Sequence, residues 1–510
     1  MTKLSFSPSR IRSWSTVRDG PRAVHMAGWA AAGKGLVSGE SLGRHILDST
    51  NASVSFPEIL GRLNGNYAVV ADYAGEVHLG VDAVRSIPLL YRIEGSSLAV
   101  SDDIRSLYSG DPSIDERSAV EFATAGYVTG PHTLFHKICG LQSGECVSWS
   151  SGDDRPTSQR YYRYVCSYDA DSTVEELCEE LDDVLMEAFG RVIGTLDGQQ
   201  AVVPLSGGLD SRLIASMFKR CGYENVLCLS YGIPGNRESA RSNQTAEALG
   251  YKWLQVPYSR DLWTEAISSD QMREYWGFSA NGVSVPHCDD WPAVRMLRRH
   301  RDVADDAIFV PGHTGDFICG SHLKYLFDPV WHDDPHDFNQ AMVKKHYSLW
   351  DDLPAIDGVR STIDQRLQEA LGAFPAETEE DLARMYEYWE WQERQAKLII
   401  NAIRSYEFFG FSWRIPLWDR GIMGFWQGIP IGLKMDKYLY RRYLASHDPF
   451  QLFQNEAPAS PWDRDRVKAK RERSTRLRVG ATLRRIRPLA PLLGRYDRFR
   501  RHLRDYRNHP

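Results

Sequence analysis

Short runs in which apolar and polar residues alternate, such as Tyr67-Ala-Val-Val-Ala-Asp72 and Val77-His-Leu-Gly-Val81, fill the chain up to about Tyr164, broken by Gly, Asn and Asp. A period of two predicts strands, so this half reads as β-rich. From Asp171 the period becomes helical: Val174, Leu177, Leu181, Val184, Leu185 and Phe189 share one face behind an Asp/Ser/Thr start, which predicts a helix over 173–194. A domain boundary is expected between 165 and 172. Three short apolar runs follow, Ala201-Val-Val-Pro-Leu205, Val226-Leu-Cys-Leu-Ser230 and Ala307-Ile-Phe-Val310, separated by helical segments such as 211–220 and 238–250. Strand, helix, strand at this spacing predicts an α/β fold with a parallel sheet, whose ligands sit at the carboxyl ends of the strands. The expected domains are 1–168, 169–455 and a tail over 456–510.

Composition adds little until it is divided along the chain. At 510 residues, 42% apolar and 25% charged, the protein exceeds what one core usually serves. No run approaches the ~20 apolar residues of a membrane span, and the polar N-terminus lacks a secretory core, so a cytoplasmic location is expected. Eight scattered cysteines without C-x-x-C spacing suit a reducing compartment and read as small buried hydrophobes. Residues 461–510 carry 17 Lys/Arg against 5 Asp/Glu, so the net charge of −6 conceals a basic tail on an acidic body. Leu477, Leu483, Ile486, Leu489, Leu492, Leu493, Tyr496 and Phe499 among those arginines permit basic amphipathic helices on either side of Pro488 and Pro491. A tail packed on its own acidic body and peripheral contact with the inner membrane surface are the competing readings; nucleic acid is the weakest.

Ser206-Gly207-Gly208-Leu209-Asp210-Ser211 lies between a buried strand run and a helix. Consecutive backbone N–H groups can there curl around a phosphate, glycine allows the close approach, and Ser206 and Ser211 add hydroxyls. Asp210 would repel phosphate unless it holds Mg²⁺, which bridges carboxylates to phosphates. A second phosphate-loop look-alike, Gly28-Trp-Ala-Ala-Ala-Gly33-Lys34-Gly35, fails because Gly35 replaces the magnesium-binding hydroxyl and no strand is expected before it.

With these residues the chain resembles the PP-loop ATP pyrophosphatases, and among them the asparagine synthetase-like family, whose S-G-G-x-D-S signature accompanies cleavage of ATP between the α and β phosphates. Ser230-Tyr231-Gly-Ile-Pro-Gly-Asn-Arg-Glu-Ser239 and Ala246-Glu-Ala-Leu-Gly250 are similar to the family's adenine- and ribose-holding segment. Pro311-Gly312-His313-Thr314-Gly315-Asp316-Phe-Ile-Cys-Gly320 resembles its second magnesium segment, Arg414-Ile-Pro-Leu-Trp-Asp419 its R-x-P-F-x-D, and Lys437-Tyr-Leu-Tyr-Arg441 the stretch with its active-site lysine.

The resemblance implies an N-terminal Ntn-type αββα sandwich, a PP-loop synthetase domain, and an ATP- and Mg²⁺-dependent ligase that adenylates a carboxylate and passes ammonia or an amine to it. Asp210 and Asp316 would bind the metal; Ser206, Gly207, Gly208, Asp210, Ser211, Ser230, Tyr231 and Gly312 would bind the nucleotide. Lys437 would stabilise transition-state charge. His313, where asparagine synthetases have Glu and β-lactam synthetases Tyr, is a candidate base near neutral pH, and Glu390, with Glu393 beside it, a candidate partner carboxylate in a 386–397 helix.

Leu63-Asn-Gly-Asn-Tyr67, Val81-Asp-Ala-Val-Arg-Ser-Ile-Pro-Leu-Leu-Tyr91 and Val100-Ser-Asp102 resemble the later part of the family's glutaminase domain. That domain works through an N-terminal cysteine, whereas position 2 is Thr2 and the first cysteine is Cys139, so glutamine hydrolysis is not expected. Ser412 also replaces a usual Glu two residues before Arg414. Such departures keep several acceptors open: aspartate, a uronate of a surface polysaccharide, or a carboxylate closed into a macrolactam or β-lactam. A tRNA-modifying PP-loop enzyme and an inactive nucleotide-binding regulator are lower alternatives. A homodimer is compatible with the family, and Ser284, His287 and Asp289 are where the acceptor pocket is expected.

Overall fold

The structure is a computed structural model. It describes residues 3–456 apart from 52–53, 74, 109, 111, 152, 154, 328–337 and 351–355, together with 458. Thr2 and the basic segment 461–510 lie outside the described residues.

The first half carries β1 (Lys3–Phe6), β2 (Ser15–Asp19), β3 (Arg22–Ala32), β4 (Gly35–Ser38), β5 (Leu63–Tyr73) and β6 (Glu76–Val81). Five more strands complete it: β7 (Leu90–Glu94), β8 (Ser97–Ser101), β9 (Cys139–Gly140), β10 (Glu145–Ser150) and β11 (Thr157–Arg160). One sheet runs β11-β10-β6-β5-β3-β2 with β4 added on β3; the other runs β1-β8-β7-β9. Alternation explains the layering. Val69 and Ala71 turn to one face of β5, where helices Gly39–Asn51 and Phe56–Gly61 bring Leu42, Ile46, Phe56 and Leu60. Ala68 and Val70 turn to the other and share a core with Leu98 and Val100 of the smaller sheet. The fold is that of a glutaminase-like sandwich, and the look-alike loop at Gly28 to Gly35 is the end of β3 and its hairpin into β4, so a strand does lead into it, contrary to expectation, but it turns back as a hairpin instead of entering a helix.

The second half begins with helix Val174–Gly194, started by a capping box in which Thr173 Oγ1 accepts from Glu176 N at 3.2 Å and Glu176 accepts from Thr173 N at 2.8 Å. Its sheet contains β12 (Ala201–Pro204), β13 (Val226–Gly232), β14 (Lys252–Pro257), β15 (Ile308–Phe309) and β16 (Ser412–Trp413), all parallel, in the order β14-β13-β12-β15-β16. Successive connections leave the central β12 first toward β13 and β14, then back across it to β15 and β16. The order reverses between β12 and β15, which is where an open α/β sheet leaves a crevice beyond its carboxyl ends. Strands β14 and β16 are additions to the three runs read from the sequence.

One hydrophobic core runs without interruption from Val70 and Leu98 to Val202, Leu213 and Ile308. All eight cysteines are free; five are buried, and Cys139, Cys221 and Cys288 are half-buried. Among the described residues no helix is long and apolar enough to cross a membrane.

Candidate active site

The loop after β12 feeds directly into helix Leu209–Arg220, whose N-cap is Gly208. Gly207 has φ +77°, and a side chain there would meet Glu238 O and Arg241 Cβ at 3.1 Å, so glycine is required both by conformation and by the neighbouring helix Arg237–Leu249. Ser211 Oγ accepts from Ser206 N at 3.2 Å and lies 3.2 Å from Ser206 Oγ, which holds the two hydroxyls at the mouth of the helix. The loop after β15 presses against it. A Cβ on Gly312 would come within 2.8 Å of Ser211 N, and one on Gly315 within 2.6 Å of Asp210 Oδ2, so the two loops touch backbone to backbone and backbone to carboxylate.

Two cavities meet at Gly312. The larger, about 820 Å³, lies over the ends of β12 and β13 and is lined by Ser206, Gly208, Ser211, Ser230, Tyr231, Gly312 and His313 among others. Its far end is aromatic: Tyr231 stacks on Tyr258 at 5.5 Å, and Trp263 meets Tyr258 edge-on at 5.7 Å. Of the residues expected to bind nucleotide, Gly207 and Asp210 are absent from this wall. Gly207 turns toward the neighbouring helix, and Asp210 faces the smaller cavity, about 60 Å³, which it lines with Asp316, His322, Lys345, Glu390, Arg394 and Gln395.

Asp210 is buried and accepts from Tyr440 Oη at 2.8 Å. Burial pushes its carboxyl up, while Lys437 and the Tyr440 hydrogen bond oppose that. Lys437 Nζ contacts Asp316. Burial also pushes the Lys437 ammonium down, with Asp210 pulling it back. The backbone around this cluster is unusual, with Thr314 at φ +82°, Asp436 at +53° and Lys437 at +59°. Three non-glycine residues in left-handed conformation beside one pair of carboxylates mark a place where packing holds the chain against its own preference. Two carboxylates that line one pocket are the hard oxygen donors that suit Mg²⁺.

His313 and Glu390 fall on opposite sides of Gly312. His313 opens onto the larger cavity, and burial first, then the neighbouring charge of His287, push its imidazole down to about 4. It is therefore neutral around pH 7. Glu390 lines the smaller cavity and neither carboxylate oxygen accepts a hydrogen bond from the described residues, although Arg394 lies 3.5 Å and His346 3.7 Å away. The segment expected as a helix over 386–397 is an α-helix to Trp389 and a π-helix over Glu390–Ile399. The wider i to i+5 spacing brings Glu390, Arg394, Gln395 and Ile399 to one wall. Glu393 turns the other way, buried with Lys397 Nζ at 2.5 Å and Gly130 N at 3.0 Å.

Ser284 also lies away from both cavities, donating to Lys397 O at 2.8 Å, whereas His287 and Asp289 line the larger one. Tyr440, Asp290, His322 and Arg394 were not legible as site residues. Tyr440 had a signal: three positions after Lys437 at a helix start, it shares that residue's face.

The sequence model described as asparagine synthase matches residues 181–461, more than half of the chain, and the protein belongs to that family. Among solved structures, similarity is found to a glutamine phosphoribosylpyrophosphate amidotransferase from B. subtilis, at 12% identity over 59% of this chain and a TM-score of 0.19. The chain spans 64% of the length of that amidotransferase. An NH3-dependent NAD synthetase from Campylobacter jejuni subsp. jejuni is 17% identical over 41% of this chain and 100% of its own, with a TM-score of 0.19. An NMN synthetase from Francisella tularensis is 11% identical over 44% of this chain and 95% of its own, with a TM-score of 0.20. No curated protein sequence matches the chain.

Proposed function

We propose that the protein is an ATP-dependent amide-forming ligase that adenylates a carboxylate, releases pyrophosphate and transfers ammonia or an amine to the acyl group. The observation that carries this reading is the meeting of Ser206–Ser211, Asp210, Asp316 and Lys437 at one point beyond the central strand. Backbone N–H groups at the start of helix Leu209–Arg220 and the hydroxyls of Ser206 and Ser211 would take the β and γ phosphates. Tyr231 and Ser230 would border the nucleoside. Asp210 and Asp316 would hold Mg²⁺, which when bound supplies charge neutralisation for the leaving pyrophosphate. Lys437 would stabilise negative charge on the reacting phosphoryl or acyl oxygen.

The nitrogen source in this reading is external to the chain. Asp102, in the segment that resembles the glutaminase domain, is fully engaged: it accepts from Ser9 N at 2.6 Å, Ser9 Oγ at 3.0 Å, Arg12 NH1 at 2.9 Å and Trp14 Nε1 at 3.3 Å. Aspartate is the family's default acceptor; a uronate or a carboxylate closed into a lactam is the alternative, supported by His313 and Ser412 standing where the family usually has Glu.

The test is to incubate the protein with Mg-ATP, ammonium and a panel containing aspartate, glutamate and galacturonate, and to measure pyrophosphate and AMP. Carboxylate-dependent release of both is expected. Formation of only ADP and phosphate would overturn the reading.

A further inference from the structure

We propose that His287, held by Asp290, is the base that takes a proton from the attacking nitrogen, with His313 as its neutral partner. The inference rests on the adenylating reaction above and assigns its second step.

Three buried polar atoms of residues that line the larger cavity have no hydrogen-bond partner among the described residues: His287 Nδ1, Asp290 Oδ1 and His313 Nδ1. Orphaned buried atoms are costly, and two of these, His287 Nδ1 and Asp290 Oδ1, face one another 3.9 Å apart with no other partner among the described residues. Asp290 is only 2% exposed. Its Oδ2 accepts from Ser405 Oγ at 2.9 Å, which leaves Oδ1 facing His287 Nδ1 at 3.9 Å. The His287 backbone is fixed because its carbonyl accepts from the Tyr275 hydroxyl. The His287 side chain keeps 29% of its surface open although Nδ1 has none, so the open edge is the one that carries Nε2. An imidazole with one nitrogen toward a carboxylate and the other toward a cavity is arranged to accept a proton, and such contacts are commonly long before substrate binds.

Position supports the role. His313 follows Gly312, whose backbone lies against Ser211, and so stands beside the phosphate loop, while Tyr258 Oη donates to Asp289 O at 2.7 Å and ties the His287–Asp290 segment to the aromatic end of the same cavity. The two rings differ in charge tendency. Burial lowers both, but Asp290 and then Asp289 outweigh it at His287 and raise that imidazole, while nothing comparable rescues His313. The other ionisable groups nearby are Glu238 and Arg260 on the same cavity wall, Cys288 next to His287, and four tyrosines: Tyr231 at the end of β13, Tyr258 after β14, Tyr275 from helix Asp270–Ala280 and Tyr406 from helix Arg404–Phe408. Burial raises the tyrosines, the Cys288 thiol and the Glu238 carboxyl, and the tyrosines stay neutral. In the step itself the nitrogen lone pair forms the C–N bond, the carbonyl C–O bond to AMP breaks with its electron pair on the phosphate oxygen, and one N–H proton passes to His287 Nε2. Asp290 is a positioning residue.

The experiment uses the full chain with Mg-ATP, the carboxylate that supports pyrophosphate release, and either ammonium or hydroxylamine. Hydroxylamine is unprotonated at neutral pH and needs less help from a base. His287→Gln is expected to cut ammonia-dependent amide formation by about 100-fold or more, and hydroxamate formation by less than about tenfold, with the pyrophosphate formed in a single turnover little changed. Asp290→Asn should give the same pattern more weakly and shift the acid limb of the pH profile to lower pH, and Asp290→Glu should restore it. Equal loss of amide and hydroxamate, with pyrophosphate release intact, overturns the assignment. If no carboxylate in the panel releases pyrophosphate, the adenylation reading fails instead. The pair is then judged by ¹⁵N-histidine NMR without substrate: His287 should titrate above His313, and Asp290→Asn should lower it. Indistinguishable titrations, unmoved by Asp290→Asn, overturn the pairing.

Discussion

Arg12 and Glu407 are joined across 395 positions by two hydrogen bonds, Nε to Oε1 at 3.0 Å and NH2 to Oε2 at 2.7 Å, with both side chains almost wholly enclosed. The same guanidinium donates to Asp102, and Glu407 also accepts from Arg404 NH1 at 2.6 Å and Trp413 Nε1 at 3.0 Å. The network ties the start of the sandwich to β16 of the parallel sheet. Removing one member strands the others without water. Arg12→Met is expected to destabilise the protein by about 3–5 kcal/mol, read as a lower urea midpoint. Adding Glu407→Gln should recover part of that loss in a double-mutant cycle; strictly additive losses would show that the pair is not coupled.

Gly315 faces the Asp210 carboxylate so closely that a methyl group cannot be added without moving it. Gly315→Ala is therefore expected to leave the fold intact by circular dichroism and to abolish carboxylate-dependent pyrophosphate release, as Asp210→Asn should. Gly424→Ala, where an added Cβ meets nothing within 4 Å, is the control and should leave activity unchanged.

Lys437 reaches Asp316 from a left-handed backbone that begins helix Tyr438–Ser446. Lys437→Met should lower the rate of pyrophosphate release by about 10²–10³. Lys437→Gly should restore thermal stability relative to Met, because φ +59° suits glycine, without restoring the rate. Recovery of activity in the glycine variant would place the charge requirement elsewhere.

Acid should weaken the fold through the wall of the smaller cavity. Burial pushes His346 down to about 3 from 6.5. For Glu390 burial acts upward, but Arg394 and then His346 outweigh it and hold the carboxyl at about 2, below its ordinary 4.5. Both groups bind fewer protons folded than unfolded. His346 thus costs stability progressively as pH falls from 6.5 toward 3, and Glu390 as it falls from 4.5 toward 2. Urea midpoints should decline from pH 7 to 4.5, and His346→Gln should flatten that slope. A wild-type midpoint that stays level or rises over this range contradicts the picture.

How much of this was legible depends on how local the signal was. β12, its loop and helix Leu209–Arg220 are consecutive in sequence and each carries its own pattern, so strand, anion loop and helix start could be read together. β14 escaped because Lys252 and Pro257 are exposed and the residues between them mostly half-buried at a sheet edge, so no clean alternation marks it. β16 is two residues long and is a strand only because β15 pairs with it. The wall formed by Glu390, Arg394 and Gln395 was hidden for another reason: a register change in the backbone ladder leaves no trace in a 3.6-residue pattern. The pairing of His287 with Asp290 was half visible, since a three-residue spacing was present but the orphaned atoms that give it meaning appear only in three dimensions.

The strand made first in the parallel sheet stands in its middle, and this has a consequence for the chain as it leaves the ribosome. A nascent chain that has reached residue 260 holds β12 to β14, with one flank of β12 unpaired and the phosphate loop without its second wall. That flank closes only when β15 arrives, Arg12 waits longer still for Glu407, and Lys437 is among the last contributors. Chains that stop before residue 308 would present a bare apolar strand edge, so truncated products should associate with chaperones or aggregate rather than persist as half-sites.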